Sequence, residues 1–111
     1  MAGSPLDIRI LPDVLRSIDS ATFTGSYQAV GTPLTYPTRI VKFTNGSGTG
    51  VTISWTGSAD HDFLPANSFL LLDCSANREL SNQLDIAAKT QFYVKGSAST
   101  GSFYISTYYA T

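Results

Sequence analysis

Apolar and polar residues alternate along much of the chain, most clearly over residues 38–56. Side chains in a strand point to opposite faces in turn, so this alternation predicts two strands that each have one buried face. A connection at 45–50 that contains three glycines joins them, and a short glycine-rich connection is typical of a β-hairpin. We therefore expect a hairpin that packs its apolar face on a second layer. The inward positions are Val41, Phe43, Val51, Ile53 and Trp55.

The N-terminal residues are predicted to form an arm. Apolar and charged residues alternate over 6–11, which predicts a short strand. Pro12 suits the first turn of a helix and is followed by apolar residues at helical spacing, so one helical turn is expected after it. We expect an arm at 1–20 and a single domain at 21–111. The arm could either precede the main sheet of its own chain or extend to pack on a neighbouring subunit. The apolar residues of the arm's strand are Leu6, Ile8, Ile10 and Leu11.

Further strands are predicted towards the C-terminus. Residues 69–72 are apolar at every position, which predicts a strand buried on both faces, either inside a sandwich corner or against a partner chain. Residues 75–83 are polar and are expected to form an exposed loop. The runs 91–95 and 102–110 alternate and are separated by a turn, so we expect them to pair and to share an apolar face. That face holds Phe92, Val94, Phe103, Ile105 and Tyr109.

These patterns predict an all-β protein. A chain of 111 residues is large enough for one domain with one two-layer core. Charged residues make up 14% of the chain, which is below the usual quarter or so, and this disfavours exposed helices. Eight or nine short strands are predicted, and their spacing is that of a β-sandwich of antiparallel strands, a jelly roll or a small barrel.

The charge of the chain disfavours two classes of partner. Seven basic residues stand against eight acidic residues, so the net charge is −1. This balance gives no electrostatic reason to bind nucleic acid or an anionic membrane, and we expect neither. The start of the sequence lacks the basic and apolar regions of a secretory signal, and no segment has the length of a membrane span. We therefore expect a protein that is made in the cytoplasm.

His61 and Cys74 are the residues that most invite a catalytic interpretation. His61 lies between Asp60 and Asp62, but alternation points both carboxylates away from it, and no second histidine is present to complete a metal site. Cys74 is the single cysteine, which excludes an internal disulfide and a cysteine-based zinc site. The adjacent Asp73 carboxylate raises a thiol pKa. We expect no catalytic, cofactor-binding or metal-binding residue and no enzymatic activity.

Aromatic residues are the remaining candidates for a binding site. Tyr93, Tyr104 and Tyr108 should lie on the faces opposite the apolar positions of their strands. Tyrosines on an outer sheet face are either ordinary cross-strand packing or a platform for a sugar or a second protein. Both interpretations stay open from the sequence.

Two stretches carry a resemblance to a known class of virion protein. They are SYQAVGTPLTYPTRIVKFTNGSGTGVTISWTGSADHDFLPANSFLLLD and TQFYVKGSASTGSFYISTYY. The chain resembles the small capsid decoration, cement or staple proteins of short-tailed bacteriophages related to the epsilon group, from about Ala21 onward. The resemblance implies a jelly-roll-like homodimer on the outside of the head that contacts the major capsid protein and has no active site.

The function expected from this resemblance is stabilisation of the capsid from the exterior of the virion. An N-terminal arm could then add a strand to an exposed sheet edge of a capsid subunit or of the dimer mate. Two alternatives stay open: a phage tail, connector or fibre-base protein, and a carbohydrate-binding β-sandwich module. The predicted interface residues are Leu6, Ile8, Ile10, Leu11, Tyr93, Tyr104 and Tyr108.

Overall fold

The computed structural model describes residues 9–74 and 85–110. Within these residues the chain forms nine strands and a short 3₁₀ turn at Ser20–Thr22. The strands are β1 (Ile10–Pro12), β2 (Arg16–Asp19), β3 (Gln28–Ala29), β4 (Thr38–Asn45), β5 (Val51–Ser54), β6 (Asp62–Leu64), β7 (Ser68–Asp73), β8 (Tyr93–Lys95) and β9 (Ser102–Ala110).

The strands form two antiparallel sheets. In the first sheet the order is β1-β9-β4-β7, and β2 also pairs with β9 beside β1. In the second sheet the order is β3-β8-β5-β6. Two packed antiparallel sheets confirm the predicted all-β class and its sandwich-like architecture, while a jelly-roll connectivity in particular stays a prediction.

The core lies between the two sheets. Phe43 on β4 is fully buried, and its ring meets that of Phe92, just before β8, edge to face with centroids 5.1 Å apart. Trp55 follows the end of β5, is half-buried, and packs its ring on Phe92 with centroids 4.9 Å apart. The inward positions predicted from the alternation are therefore confirmed. The other fully buried apolar side chains of the strands are Val41, Val51, Ile53, Val94, Phe103 and Ile105.

The predicted hairpin at 38–56 is wrong in its pairing. Both strands exist, but β4 belongs to the first sheet and β5 to the second, so the connection crosses from one sheet to the other. The side chain of Asn45 holds this crossing, because its amide nitrogen donates hydrogen bonds to three carbonyl oxygens. These belong to Thr49 (2.9 Å), Leu64 (3.1 Å) and Pro65 (3.1 Å).

The predicted pairing of the last two strands is also wrong. β8 lies in the second sheet and β9 in the first, so their inward side chains meet across the core instead of lying side by side. Residues 69–72 do form part of a strand, but among residues 9–74 and 85–110 only one face of β7 is packed on the core. Phe69 and Leu71 are 63% and 50% exposed. Burial against a partner chain stays a prediction.

The helical turn predicted after Pro12 is replaced by a strand. β2 pairs with β9, with Ile18 opposite Phe103, so tertiary pairing overrides the helical spacing of the apolar residues. β1 pairs with the end of β9, with Ile10 opposite Ala110. The predictions at Leu6, at Ile8 and over 75–83 lie outside the described residues, and the division into 1–20 and 21–111 stays a prediction.

Candidate binding surface

The outer face of the first sheet, which we name the open face, points away from the core. Its side chains stand in three cross-strand rows because alternate residues of β7, β4 and β9 share a face. The rows are Phe69, Thr44 and Tyr104; Leu71, Lys42 and Ser106; and Asp73, Ile40 and Tyr108.

Apolar side chains on the open face are unusually accessible. Phe69 is 63% exposed, Leu71 is 50% exposed and Tyr104 is 38% exposed. A single exposed apolar side chain is ordinary on a protein surface, whereas several neighbouring ones on one face are typical of contact sites. Phe69 and Leu71 are alternate residues of one strand, so they present a continuous apolar strip.

Lys42 gives the open face a positive charge beside this strip. Its ammonium group lies 4.9 Å from the centroid of the Phe69 ring, within the range of a cation–π interaction. Lys42 is directly opposite Leu71 in the register of β4 and β7, so its aliphatic stem lies beside the leucine. The open face therefore combines exposed apolar side chains with a positive charge that lies over one of them.

The strip lies on an edge of the first sheet. In the described part of the chain, β7 pairs with β4 alone. The other side of an edge strand carries backbone groups that another strand can pair with. Sequence reasoning left burial of residues 69–72 against a partner chain as one of two alternatives, and it did not single out Lys42. The sequence signal for this surface was the unbroken apolar run at 69–72. Because every position in the run is apolar, the sequence does not show which face of the strand packs on the core.

The three predicted interface tyrosines do not come together. Tyr104 and Tyr108 lie on the open face, whereas Tyr93 lies on the outer face of the second sheet. The Tyr93 ring is also covered, since a β-carbon at Gly57 would lie 3.2 Å from it. One platform made of all three rings is therefore not formed.

The described N-terminal residues of the predicted interface lie at the opposite edge of the same sheet. Ile10 is 45% exposed and Leu11 is half-buried. Next to them a shallow depression of about 250 Å³ opens beside Leu15, which is 57% exposed. Its lining residues are Pro12, Asp13, Leu15, Ser106, Thr107 and Tyr108.

His61 and its neighbours form a structural cluster. The Nδ1 atom of His61 accepts a hydrogen bond of 3.0 Å from the backbone N–H of Trp55. Asp60 accepts a hydrogen bond from the Tyr27 hydroxyl and lies 3.2 Å from the Lys95 ammonium group. These two contacts hold the pKa of Asp60 below its ordinary value. Partial desolvation and the Asp60 carboxylate raise the pKa of Tyr27 to about 12.

The remaining candidates for chemistry are clusters of metal-ligating side chains and Cys74. No group of three or more His, Cys, Asp or Glu side chains within 9–74 and 85–110 is arranged to hold a metal ion. Cys74 is half-buried, and burial together with the charge of Asp73 raises the pKa of its thiol. A thiol that keeps its proton is a weak nucleophile at neutral pH.

Comparison with known proteins leaves the family open. No protein-family model, curated protein or solved structure matches this chain. Among the described residues, no helix has the length and apolar character needed to cross a membrane. The open face is the best candidate for a binding surface among the described residues.

Proposed function

We propose that this chain is a capsid decoration protein of a tailed bacteriophage that binds the outer surface of the head. It acts as a homodimer and stabilises contacts between major capsid protein subunits. The open face carries this proposal, because it presents the accessible strip of Phe69 and Leu71 on a rigid sheet. The resemblance of the sequence to capsid staple proteins gives the class of partner.

The energetics of the strip suit a contact that is repeated over a shell. Burying an exposed phenylalanine or leucine side chain contributes roughly 1.5–3 kcal/mol, so each open face supplies a modest affinity. A dimer that touches two subunits of a regular lattice gains further from effective concentration. The net charge of −1 keeps repulsion low when many copies crowd one surface.

Charge and shape define what the partner must offer. Lys42 stands beside the apolar strip and needs a carboxylate opposite it when water is excluded. The major capsid subunit should therefore present an apolar contact next to an acidic side chain. The backbone groups of the β7 edge can add an extended segment of that subunit to the first sheet.

Counting copies in purified particles tests the proposal. Quantitative mass spectrometry of intact phage should find this protein in copies on the order of hundreds, as expected for a shell protein. A tail component would instead be present in about six or twelve copies. Imaging of particles with and without the protein should place the added density outside the head. Absence from particles, or a copy number at the level of a tail component, would refute binding to the head.

A further inference from the structure

Asn45 and Gly46 form the one Asn-Gly pair in the sequence. The other asparagines, Asn67, Asn77 and Asn82, are followed by serine, arginine and glutamine. Glycine has no β-carbon to shield its backbone nitrogen and leaves the backbone free to bend. An asparagine before glycine is therefore the position where the following backbone nitrogen most easily attacks the side-chain amide.

We propose that Asn45 is a modification site that the fold controls: it is protected from deamidation while the chain is folded and becomes reactive when the chain unfolds. In the reaction the Gly46 nitrogen forms a bond to Cγ of Asn45, and the bond from Cγ to Nδ2 breaks. The Gly46 amide proton leaves with the departing nitrogen as ammonia. Water then hydrolyses one of the two C–N bonds of the cyclic imide, which yields aspartate or isoaspartate at position 45.

The folded structure holds the side chain of Asn45 away from this reaction. Asn45 is 1% exposed, and its amide nitrogen donates to three carbonyl oxygens. Its amide oxygen accepts hydrogen bonds from the backbone N–H of Ser47 at 3.1 Å and from the Ser47 hydroxyl at 2.6 Å. Rotation of the side chain towards the Gly46 nitrogen would break these contacts in the core, where no water replaces them.

The attacking nitrogen is also engaged. The backbone N–H of Gly46 donates a hydrogen bond of 2.9 Å to the carbonyl oxygen of Ser102, the first residue of β9. This nitrogen must lose its proton to attack, so the hydrogen bond has to open first. Reaction at Asn45 therefore requires two sets of contacts to break: the side-chain hydrogen bonds of Asn45 and the backbone hydrogen bond from Gly46 to Ser102.

The product would not fit the folded chain. An aspartate carboxylate at position 45 has no hydrogen to donate, yet it would face the carbonyl oxygens of Thr49, Leu64 and Pro65. A buried charge among acceptors that it cannot bond is strongly destabilising. An unfolded chain that deamidates at Asn45 would consequently lose the ability to refold, whereas a folded chain would keep it.

Incubation of the protein in its folded state and in guanidinium chloride tests both parts of the proposal. Peptide mass spectrometry measures deamidation at each asparagine after equal times at mildly alkaline pH. We expect Asn45 to react at least about a hundredfold more slowly in the folded protein, since the rate follows the population of open chain. The refolding yield should fall in step with modification at Asn45. Comparable rates in the two states, or full refolding of modified chains, would overturn the proposal.

Two controls separate this protection from general effects of folding. Asn67 is exposed and is followed by serine, so its slow reaction should differ much less between the two states. Asn45→Asp reproduces the main change in charge without incubation. This variant should unfold at a lower denaturant concentration than the natural chain or fail to fold, and equal stability would contradict the inferred effect of the product.

Discussion

The α-carbon of Gly101 faces the carbonyl oxygen of Gly46 so closely that a β-carbon on Gly101 would overlap that oxygen. Gly101 precedes β9, and Gly46 begins the crossing from the first sheet to the second. The backbone of Gly101 also has a positive φ of 88°. This close approach fixes the start of β9 against the crossing that Asn45 holds.

A matched pair of substitutions separates the two reasons for glycine at position 101, which are the positive φ and the close approach to the carbonyl oxygen of Gly46. Gly25 has the same φ of 88°, but a β-carbon there would meet no other atom within 4 Å. Gly25→Ala should therefore cost only about 1–2 kcal/mol for its backbone conformation. Gly101→Ala should cost more, because the clash with a backbone oxygen is added to the same strain. Urea unfolding of both variants measures the difference, and equal losses would show that the close approach has no energetic effect.

Arg16 is predicted to be the largest polar contributor to stability. Its side chain is 3% exposed, and its guanidinium group links β2, β9 and the loop after β3. Loss of this group leaves one buried and four part-buried acceptors without their guanidinium donor, so Arg16→Leu should cost about 3–5 kcal/mol. Arg16→Lys should recover only part of this, because an ammonium group lacks the planar fork. The acceptors are the carbonyl oxygens of Val14, Thr32 and Pro33, the hydroxyl of Thr107 and the carboxylate of Asp13.

The control for Arg16 is Ser17→Ala on the same strand. Ser17 is exposed, so its substitution should change the free energy of unfolding by no more than about 0.5 kcal/mol. Chemical unfolding monitored by tryptophan fluorescence reports both variants, since Trp55 packs on the core. A loss for Arg16→Leu as small as that for Ser17→Ala would show that the buried contacts of the guanidinium group contribute nothing.

The contact between Tyr27 and Asp60 predicts how stability depends on pH. The pKa of Asp60 is depressed in the folded state, so its contribution is present above its ordinary value of 3.8 and is lost as the pH falls through the folded value. The pKa of Tyr27 is raised, so its contribution is present below 10 and is lost as the pH rises through about 12. Asp60→Asn should therefore remove the loss of stability in acid that comes from Asp60 and weaken the loss at alkaline pH that comes from Tyr27.

Unfolding midpoints in urea at constant ionic strength check this dependence. The difference in midpoint between the natural chain and Asp60→Asn should be largest near neutral pH and should shrink towards zero in acid. Asp62→Asn, which changes the next acidic residue along the chain, serves as the control. A difference that stays constant from neutral pH to strongly acidic pH would contradict a role for Asp60 ionisation.

Local alternation predicted where most of the strands lie, but it missed β2, whose apolar residues have helical spacing, and it did not predict which strands pair. The inward positions of β4 and β5 follow from a period of two residues, which is a property of each strand alone. Glycines at 46, 48 and 50 fit a hairpin and a crossing between sheets equally well, because they permit many backbone conformations. The buried hydrogen bonds of Asn45 to Leu64 and Pro65 favour the crossing, and they join residues that lie far apart in sequence.

The candidate site was predicted less well than the fold for the same reason. Tyr104 and Tyr108 were placed correctly on an outer face, since both follow the alternation of β9. Tyr93 obeys the same rule within β8 but belongs to the other sheet, so the rule could not tell that it faces away from them. The exposure of Phe69 depends on which face of the first sheet packs on the second sheet, which is a property of the tertiary structure and not of local sequence.

A comparison of two exposed phenylalanines tests whether the open face of the first sheet is the contact surface. Phe69 on the open face and Phe63 on the second sheet are each 63% exposed, so serine at either position removes a similar exposed ring. Both variants should remain folded at the temperature of the binding measurement, which a thermal unfolding scan verifies.

Binding of the three proteins to phage heads that lack this chain is the decisive measurement. Phe69→Ser should weaken binding by about tenfold or more, as expected from the loss of roughly 1.5–3 kcal/mol of burial. Phe63→Ser should bind as the natural chain does. Equal binding of all three proteins, or an equal loss in both variants, would contradict the assignment of the contact to the open face.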